Sequence, residues 1–396
     1  QTIKIGADSK GKIQSLSHVY TSQADMLSDY KENCGEVSGF LYGSPNCHIS
    51  SSISRRNKGV PTAMRGPGAV PGLFALESAM DELAIALKMD PVQLRILNDT
   101  KIDGSNGKPF SSRHFKECLE LGAKKFGWAK RTPAVGSMKD GDEVLGWGVA
   151  ACTWPARRLD AKVTIEMRAD GRVRVVSGTH DIGTGMYTVL AQVASTELGI
   201  PIDRIDVVLG DTSLPAGPIA GGSMAAGSVI PAVIEAVKAI KKNFANAASK
   251  TNTSAFFGAK PEEIKYEAGM LNGPKGKVEY AKFLQSINMA SLGGIGEAKG
   301  NMNDKEAKFS TKSFGAQFIE IGWNPDLARL RSRGPSSKLT RATSLEAPDH
   351  APDRHHNRRL SLIRERAPRR YPGLCRLVAP GGGDAGCGHG TAGAGD

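Results

Sequence analysis

Between Thr179 and Ser223 the chain carries two glycine-rich turns, His180-Asp181-Ile182-Gly183-Thr184-Gly185 and Gly221-Gly222-Ser223, and each runs straight into a segment with helical spacing. The first segment is Met186 to Ala194; the second runs from about Ala225 through Val229 and Ile234 to Ile240. Glycine lets a backbone approach a ligand closely, and a helix start presents unpaired N–H groups with a partial positive charge. A single strand, Ile205 to Leu209, joins the turns, so the stretch can clasp an anionic group from two sides. Two common anion-binding patterns do not fit. A dinucleotide fingerprint needs a third glycine where Thr188 stands, and a P-loop needs Lys-Ser/Thr after its last glycine. From spacing alone, a less common anion and plain helix capping both stay open.

A chain of 396 residues has room for two or three domains, and 40% hydrophobic with 23% charged residues is a globular composition. No apolar run approaches a membrane span, and the N-terminus lacks a charged-then-apolar export pattern. The chain opens on Gln1 inside what reads as a strand, so further sequence is expected upstream. Cys34, Cys47, Cys118, Cys152, Cys375 and Cys387 form no Cys-x-x-Cys pair. That argues against a zinc or iron–sulfur site in this chain and fits a reducing compartment.

The net charge of +12 admits a second reading, a basic protein that binds nucleic acid or an anionic membrane. The distribution of charge points elsewhere. Residues 331–396 hold 12 Lys+Arg, of which 11 are Arg, whereas residues 1–330 hold 27 Lys and 13 Arg. This tail is rich in Pro and Gly, shows no sustained hydrophobic period and lacks interleaved aromatics, so it is expected to be disordered. The abrupt reversal of usage reads as a change of reading frame near Arg331.

Taken in order, residues 2–21 read as a β-hairpin and the stretch to Pro61 as loop-rich. A loop at 62–72 precedes a helix carrying Leu76, Met80, Leu83 and Leu87, and Asp90-Pro91 caps a short second helix. Residues 112–127 form another amphipathic helix, and the polar connection Arg131 to Glu143 reads as a domain boundary. Ala169-Asp170-Gly171 between apolar alternations marks a hairpin over 161–177. Beyond the second clasp helix, 250–308 is polar and Gly/Lys-rich, with a last strand at 314–321. Strands mixed with helices, without regular βαβ alternation, predict an α+β fold.

Four segments together resemble the molybdenum-cofactor subunit of the xanthine dehydrogenase and aldehyde oxidase family, in its bacterial, separate-subunit, aldehyde-oxidising branch. They are Met64-Arg65-Gly66-Pro67-Gly68 with the following Phe74 to Leu83, His180 to Thr188, Leu209-Gly210-Asp211-Thr212, and Gly221-Gly222-Ser223. The likeness covers roughly residues 1–330. It implies incomplete molybdopterin-binding domains, part of a first at 1–130 and part of a second at 131–330, with 331–396 as tail. It implies molybdenum–molybdopterin, in the cytosine dinucleotide form, with no metal ligand from the protein. By position, Ile182, Gly183 and Thr184 would contact the pterin and its phosphates, as would Gly221, Gly222 and Ser223. Met64 and Arg65 would lie beside metal and pterin. Trp154-Pro155-Ala156-Arg157-Arg158 resembles a segment near the substrate pocket, where Arg158 could orient a polarised carbonyl oxygen. His180 is expected to be a structural hydrogen bonder.

The family's catalytic base is a Glu in a late Gly-x-Gly-Glu segment. Gly294-Ile295-Gly296-Glu297 has that pattern but precedes the last strand. It reads as a decoy in a polar linker, and the true base is expected downstream and missing. The resemblance therefore implies a fragment of an enzyme that hydroxylates aldehydes or N-heterocycles with oxygen from water. Electrons would pass to iron–sulfur and FAD subunits, and the chain alone is expected to be inactive. No nucleic-acid or membrane partner is implied. The expected compartment is the cytoplasm, or the periplasm through a partner's signal.

Overall fold

The computed structural model describes residues 1–302, 304 and 306–332, together with the backbone of 338–341. In chain order, β1 (Thr2–Ala7), β2 (Ile13–Ala24) and β3 (Asn46–Arg55) form one sheet, followed by α1 (Ala69–Leu87), α2 (Pro91–Leu97) and α3 (Phe115–Phe126). Then come β4 (Lys139–Asp140), β5 (Glu143–Pro155), β6 (Ala161–Arg168), β7 (Val173–Val176), α4 (Met186–Leu198), β8 (Ile205–Val208) and α5 (Ala225–Lys250). A small sheet of β9 (Lys265–Glu267), β10 (Met270–Gly273) and β11 (Gly276–Glu279) precedes α6 (Tyr280–Ser286) and β12 (Ser291–Ala298). β13 (Lys312–Asn324), β14 (Arg329–Ser332) and β15 (Lys338–Arg341) end the described chain. This is the α+β arrangement that the sequence predicts.

Local chemistry accounts for most of these elements. Asp90 caps α2 by accepting from the amides of Val92 and Gln93, with Pro91 at the first helical position. β6 alternates strictly, burying Ala161, Val163, Ile165 and Met167. β3 is different: it pairs in parallel with β2 over ten residues, yet its Ser-rich sequence is almost wholly exposed. The region read as loop-rich thus holds a long edge strand.

Two hydrophobic cores form. One gathers Ile13, Leu16, Phe40, Leu76, Met80, Phe115 and Leu119 with Val149 and Ala151 of β5 and Phe314, Ala316 and Phe318 of β13. The other lies between the sheet β12-β6-β7-β8 and helices α4, α5 and α6. The two cores are not consecutive along the chain. β5 and β13 pair antiparallel along 12 residues and complete the first core, while 161–298 make the second as an insertion. The sheet also runs past residue 331, because β14 and β15 both pair with β13. The remaining tail, 342–396, with the expected disorder and the basic-binder reading that depends on it, lies outside the described residues.

The decoy segment is a strand and not a linker. Gly294 and Gly296 lie in β12 with their faces on the α5 backbone: a Cβ at Gly294 would come within 2.6 Å of the Ala236 carbonyl, and one at Gly296 would collide with that of Ala232. Glycine here brings helix and strand together. Among the described residues no helix is long and apolar enough to cross a membrane.

Candidate cofactor site

β7 and β8 are parallel neighbours, so their carboxyl ends open at the same sheet edge. Ligands of open α/β sheets collect at such edges. The two glycine turns leave from these ends and are tied to each other. Gly178 donates its amide to Pro215 O at 2.6 Å, the buried Thr179 hydroxyl donates to Pro218 O at 2.8 Å, and Gly210 N donates to Thr179 O at 2.8 Å. His180 Nε2 accepts from Ala220 N at 3.3 Å, which joins the two bends directly and makes the ring a structural acceptor.

The first bend is already filled. Asp181 Oδ1 accepts from the amides of Gly183 and Thr184 at 2.7 Å each and of Gly185 at 3.2 Å. Gly183 and Gly185 reach this nest through left-handed backbone, φ 93° and 84°, which glycine adopts without penalty. Burial raises the Asp181 carboxyl pKa, but the amides of Gly183, Gly185, Thr184 and Met186 outweigh it and hold the group below the usual carboxylate range. The donors that the sequence offers to an external phosphate thus serve the chain's own carboxylate. What this bend presents outward is the exposed Ile182 side chain and open space above Gly183 and Gly185.

The second bend is open. Gly222 and Ser223 both have positive φ, 59° and 61°, and Ser223 is a residue for which that conformation costs about 1 kcal/mol. Met224 N closes the turn on Gly221 O at 3.1 Å, and the carbonyl of Gly222 accepts the Trp154 indole N–H at 2.8 Å. Trp154 belongs to the first core, so this bond links the two cores beside the bend. Arg157, a few residues on, pairs with Glu36 at 2.8 Å, and the Arg158 stem lies over Gly227 in the first turn of α5.

Met64 and Arg65 are exposed on their loop. Their loop connects to this region through the Gly68 amide on Glu32 Oε2 at 3.1 Å and the Asn33 side chain on Glu36 at 3.4 Å. Among the described residues, no hydrogen bond or ion pair joins Met64 or Arg65 directly to the glycine bends. Among the described residues, no hydrogen bond or ion pair joins Glu297 directly to the bends either. It is exposed and pairs with Lys162 at 2.9 Å; the Lys162 hydrogen bond and charge hold its carboxyl below the usual range. It lines a groove with Glu235, Lys238 and Lys242 of α5, a setting unsuited to a strong base. Among the described residues no cluster of His, Cys, Asp or Glu could hold a metal ion. Sequence reading missed Asp181 and the Trp154 link. An Asp two residues before a glycine in a helix-leading turn is a signal for the first, and nothing local marks the second.

The sequence matches the family description "Molybdopterin cofactor-binding domain" over residues 1–99 and again, for a second domain of that description, over 121–333. It is 33% identical over 337 residues to the aldehyde oxidoreductase molybdenum-binding subunit PaoC of Escherichia coli O157:H7, covering 84% of this chain and 44% of that protein. It is 31% identical over 268 residues to a putative xanthine dehydrogenase molybdenum-binding subunit, XdhA, of Escherichia coli K12, covering 64% and 35%. The fold superimposes on quinoline 2-oxidoreductase from Pseudomonas putida 86 with a TM-score of 0.68 at 17% identity, covering 83% of this chain and 45% of that one. It superimposes on the aldehyde oxidoreductase of Desulfovibrio gigas with a TM-score of 0.65 at 20% identity, covering 84% and 36%. The chain spans less than half the length of these relatives.

Ser223, in left-handed backbone, and the apolar Ile182, Tyr187 and Ile219 are exposed around the two bends, while the Gly183 and Thr184 amides are engaged by Asp181. The chain therefore belongs to the molybdopterin-binding subunits of the xanthine dehydrogenase and aldehyde oxidoreductase family.

Proposed function

We propose that this chain is the pterin-holding part of a molybdenum hydroxylase that oxidises aldehydes or N-heterocycles with oxygen from water. The observation that carries the reading is the pair of glycine bends held side by side at the ends of β7 and β8, with Trp154 and Arg158 leading over the second bend. When bound, the cofactor supplies the oxygen transfer and accepts the electrons. The protein's share is binding and orientation.

In this reading Gly221, Gly222 and Ser223 receive the phosphorylated end of a cytosine-dinucleotide pterin with their amides and the Ser223 hydroxyl. Asp181 keeps the first bend rigid, so that Ile182, Gly183 and Thr184 pack against the pterin by shape and through the Thr184 hydroxyl. Met64 and Arg65 close the site from the first core. Arg158 directs its guanidinium at the substrate's polarised oxygen, where charge develops in the transition state. Glu297 is not the base. The base carboxylate is instead expected further along such a subunit than the segments matched here. Iron–sulfur and FAD subunits take the electrons onward, in the cytoplasm or, with a partner's export signal, in the periplasm.

The test is expression in a host that makes the cofactor, followed by acid extraction and measurement of pterin and cytidine monophosphate per chain. Both should be present above a control protein and fall about tenfold when Gly222→Val fills the second bend, the equivalent of roughly 1.4 kcal/mol. Equal recovery from both chains would remove the bend from the cofactor site. Aldehyde oxidation by the chain alone would show that it holds its own base.

A further inference from the structure

The chain passes between the two cores twice, at 156–160 and at 299–311, and Asn301 fastens one passage to the other. Its Oδ1 accepts from Arg158 N at 2.7 Å, and its own backbone N–H donates to Arg158 O at 3.1 Å. Its Nδ2 donates to Ala156 O at 3.0 Å and to Thr311 Oγ1 at 3.2 Å. One residue thus holds both backbone groups of Arg158 and also the carbonyl two residues earlier.

The surroundings tighten this hold. A Cβ at Gly300 would come within 2.7 Å of Arg158 O and 2.9 Å of Leu159 Cα, so the passages touch at a spacing that only glycine permits. Gly300 N donates to Asp160 Oδ1 at 2.7 Å. From the other side the Ser228 hydroxyl, in the first turn of α5, accepts the Leu159 amide at 2.9 Å and donates to Met224 O at 2.7 Å. An arginine has a long, rotatable stem, and its charge orients a substrate atom only if its Cα is fixed. Here the Cα is bracketed by hydrogen bonds on the peptide groups at both sides.

We propose that Asn301 is a positioning residue: it fixes the Arg158 backbone beside the second glycine bend and so sets where the guanidinium is presented. The inference rests on the reading of Arg158 as the substrate-orienting group. It assigns Asn301 a task beyond joining two segments.

Amide hydrogen exchange on the full chain, read by mass spectrometry on peptides spanning 156–160, tests the hold itself. Asn301→Ala should accelerate exchange of the Arg158 amide roughly three- to tenfold, the loss expected for one or two hydrogen bonds. Asn301→Asp keeps the acceptor for that amide and should leave its exchange near the wild-type rate. Unchanged exchange in Asn301→Ala overturns the inference. Kinetics of the oxidoreductase assembled around the complete subunit, base included, test the consequence. Asn301→Ala should lower kcat/KM in the wild-type background and have no further effect once Arg158 is Ala; an equal loss in both backgrounds also overturns it. If Arg158→Ala alone leaves kcat/KM unchanged, the role given to Arg158 falls, and the exchange result still decides whether Asn301 holds its backbone.

Discussion

The Glu77 carboxylate accepts from Arg95 Nε at 2.8 Å, from the Tyr42 hydroxyl at 2.6 Å and from the Ala151 amide at 2.6 Å, all inside the first core. Arg95 is fully buried and also reaches Asp81 at 2.9 Å. Burial disfavours the Arg95 charge, yet Glu77, Tyr42 and Asp81 more than restore it. Removing Glu77 leaves the buried Arg95 paired only with the half-exposed Asp81 and strips the Tyr42 hydroxyl and the Ala151 amide of their acceptor, so Glu77→Ala should destabilise the protein by about 3–5 kcal/mol. Replacing Glu77 and Arg95 together by Met should cost far less, and urea unfolding of both variants checks the difference. Asp181 gives a pH prediction of the opposite kind. Its carboxyl is depressed in the folded chain, so its contribution is full above the unfolded value, near 3.9, and is lost as pH falls through the lower folded value. The carboxyl-carbon resonance of Asp181 should therefore titrate with a midpoint below that of an exposed Asp. A normal midpoint would mean the first nest is not occupied as described.

Helix–strand contact at β12 is set by two glycines, and that makes a sharp comparison at the level of elements. Gly296→Ala forces a methyl into the Ala232 carbonyl and should cost at least about 1–3 kcal/mol, whereas Gly293→Ala meets only Ile165 O at 3.4 Å and should be mild. Thermal unfolding of the two variants separates them. The same strand illustrates what could and could not be read from sequence. α4, α5 and the β6–β7 hairpin were legible because their apolar period and turn residues are local. β12 was not, since its glycines look like linker until the backbone of α5 is beside them. β3 was hidden by a run of serines with little burial to pattern. For the site, the bends themselves were legible as glycine before helix. Their occupancy was not: that the Gly183 and Thr184 amides go to Asp181, or that Trp154 and Asn301 fasten the second bend's surroundings, depends on partners distant in sequence.

The described residues make one core inserted into another, and the two differ in self-sufficiency. Residues 160–299 contain every strand and helix of the second core, so expressed alone they should unfold cooperatively in urea with a native-like near-ultraviolet signal. Residues 1–130 alone should do neither, because β5 and β13 supply Val149, Ala151, Phe314, Ala316 and Phe318 to their core. Cooperative unfolding of 1–130 would show that the pairing of β5 with β13 is dispensable. That pairing joins residues as far apart as Val144 and Trp323, 179 positions in the sequence. On the ribosome, β5 emerges long before Lys312, and the inserted core is finished while its partner strand is still unmade. At about 5–20 residues per second the edge of β5 stays bare for roughly 10–30 s, a template for any passing strand. The yield of this protein in a cell should then depend less on its final stability than on what shields the nascent chain during that interval.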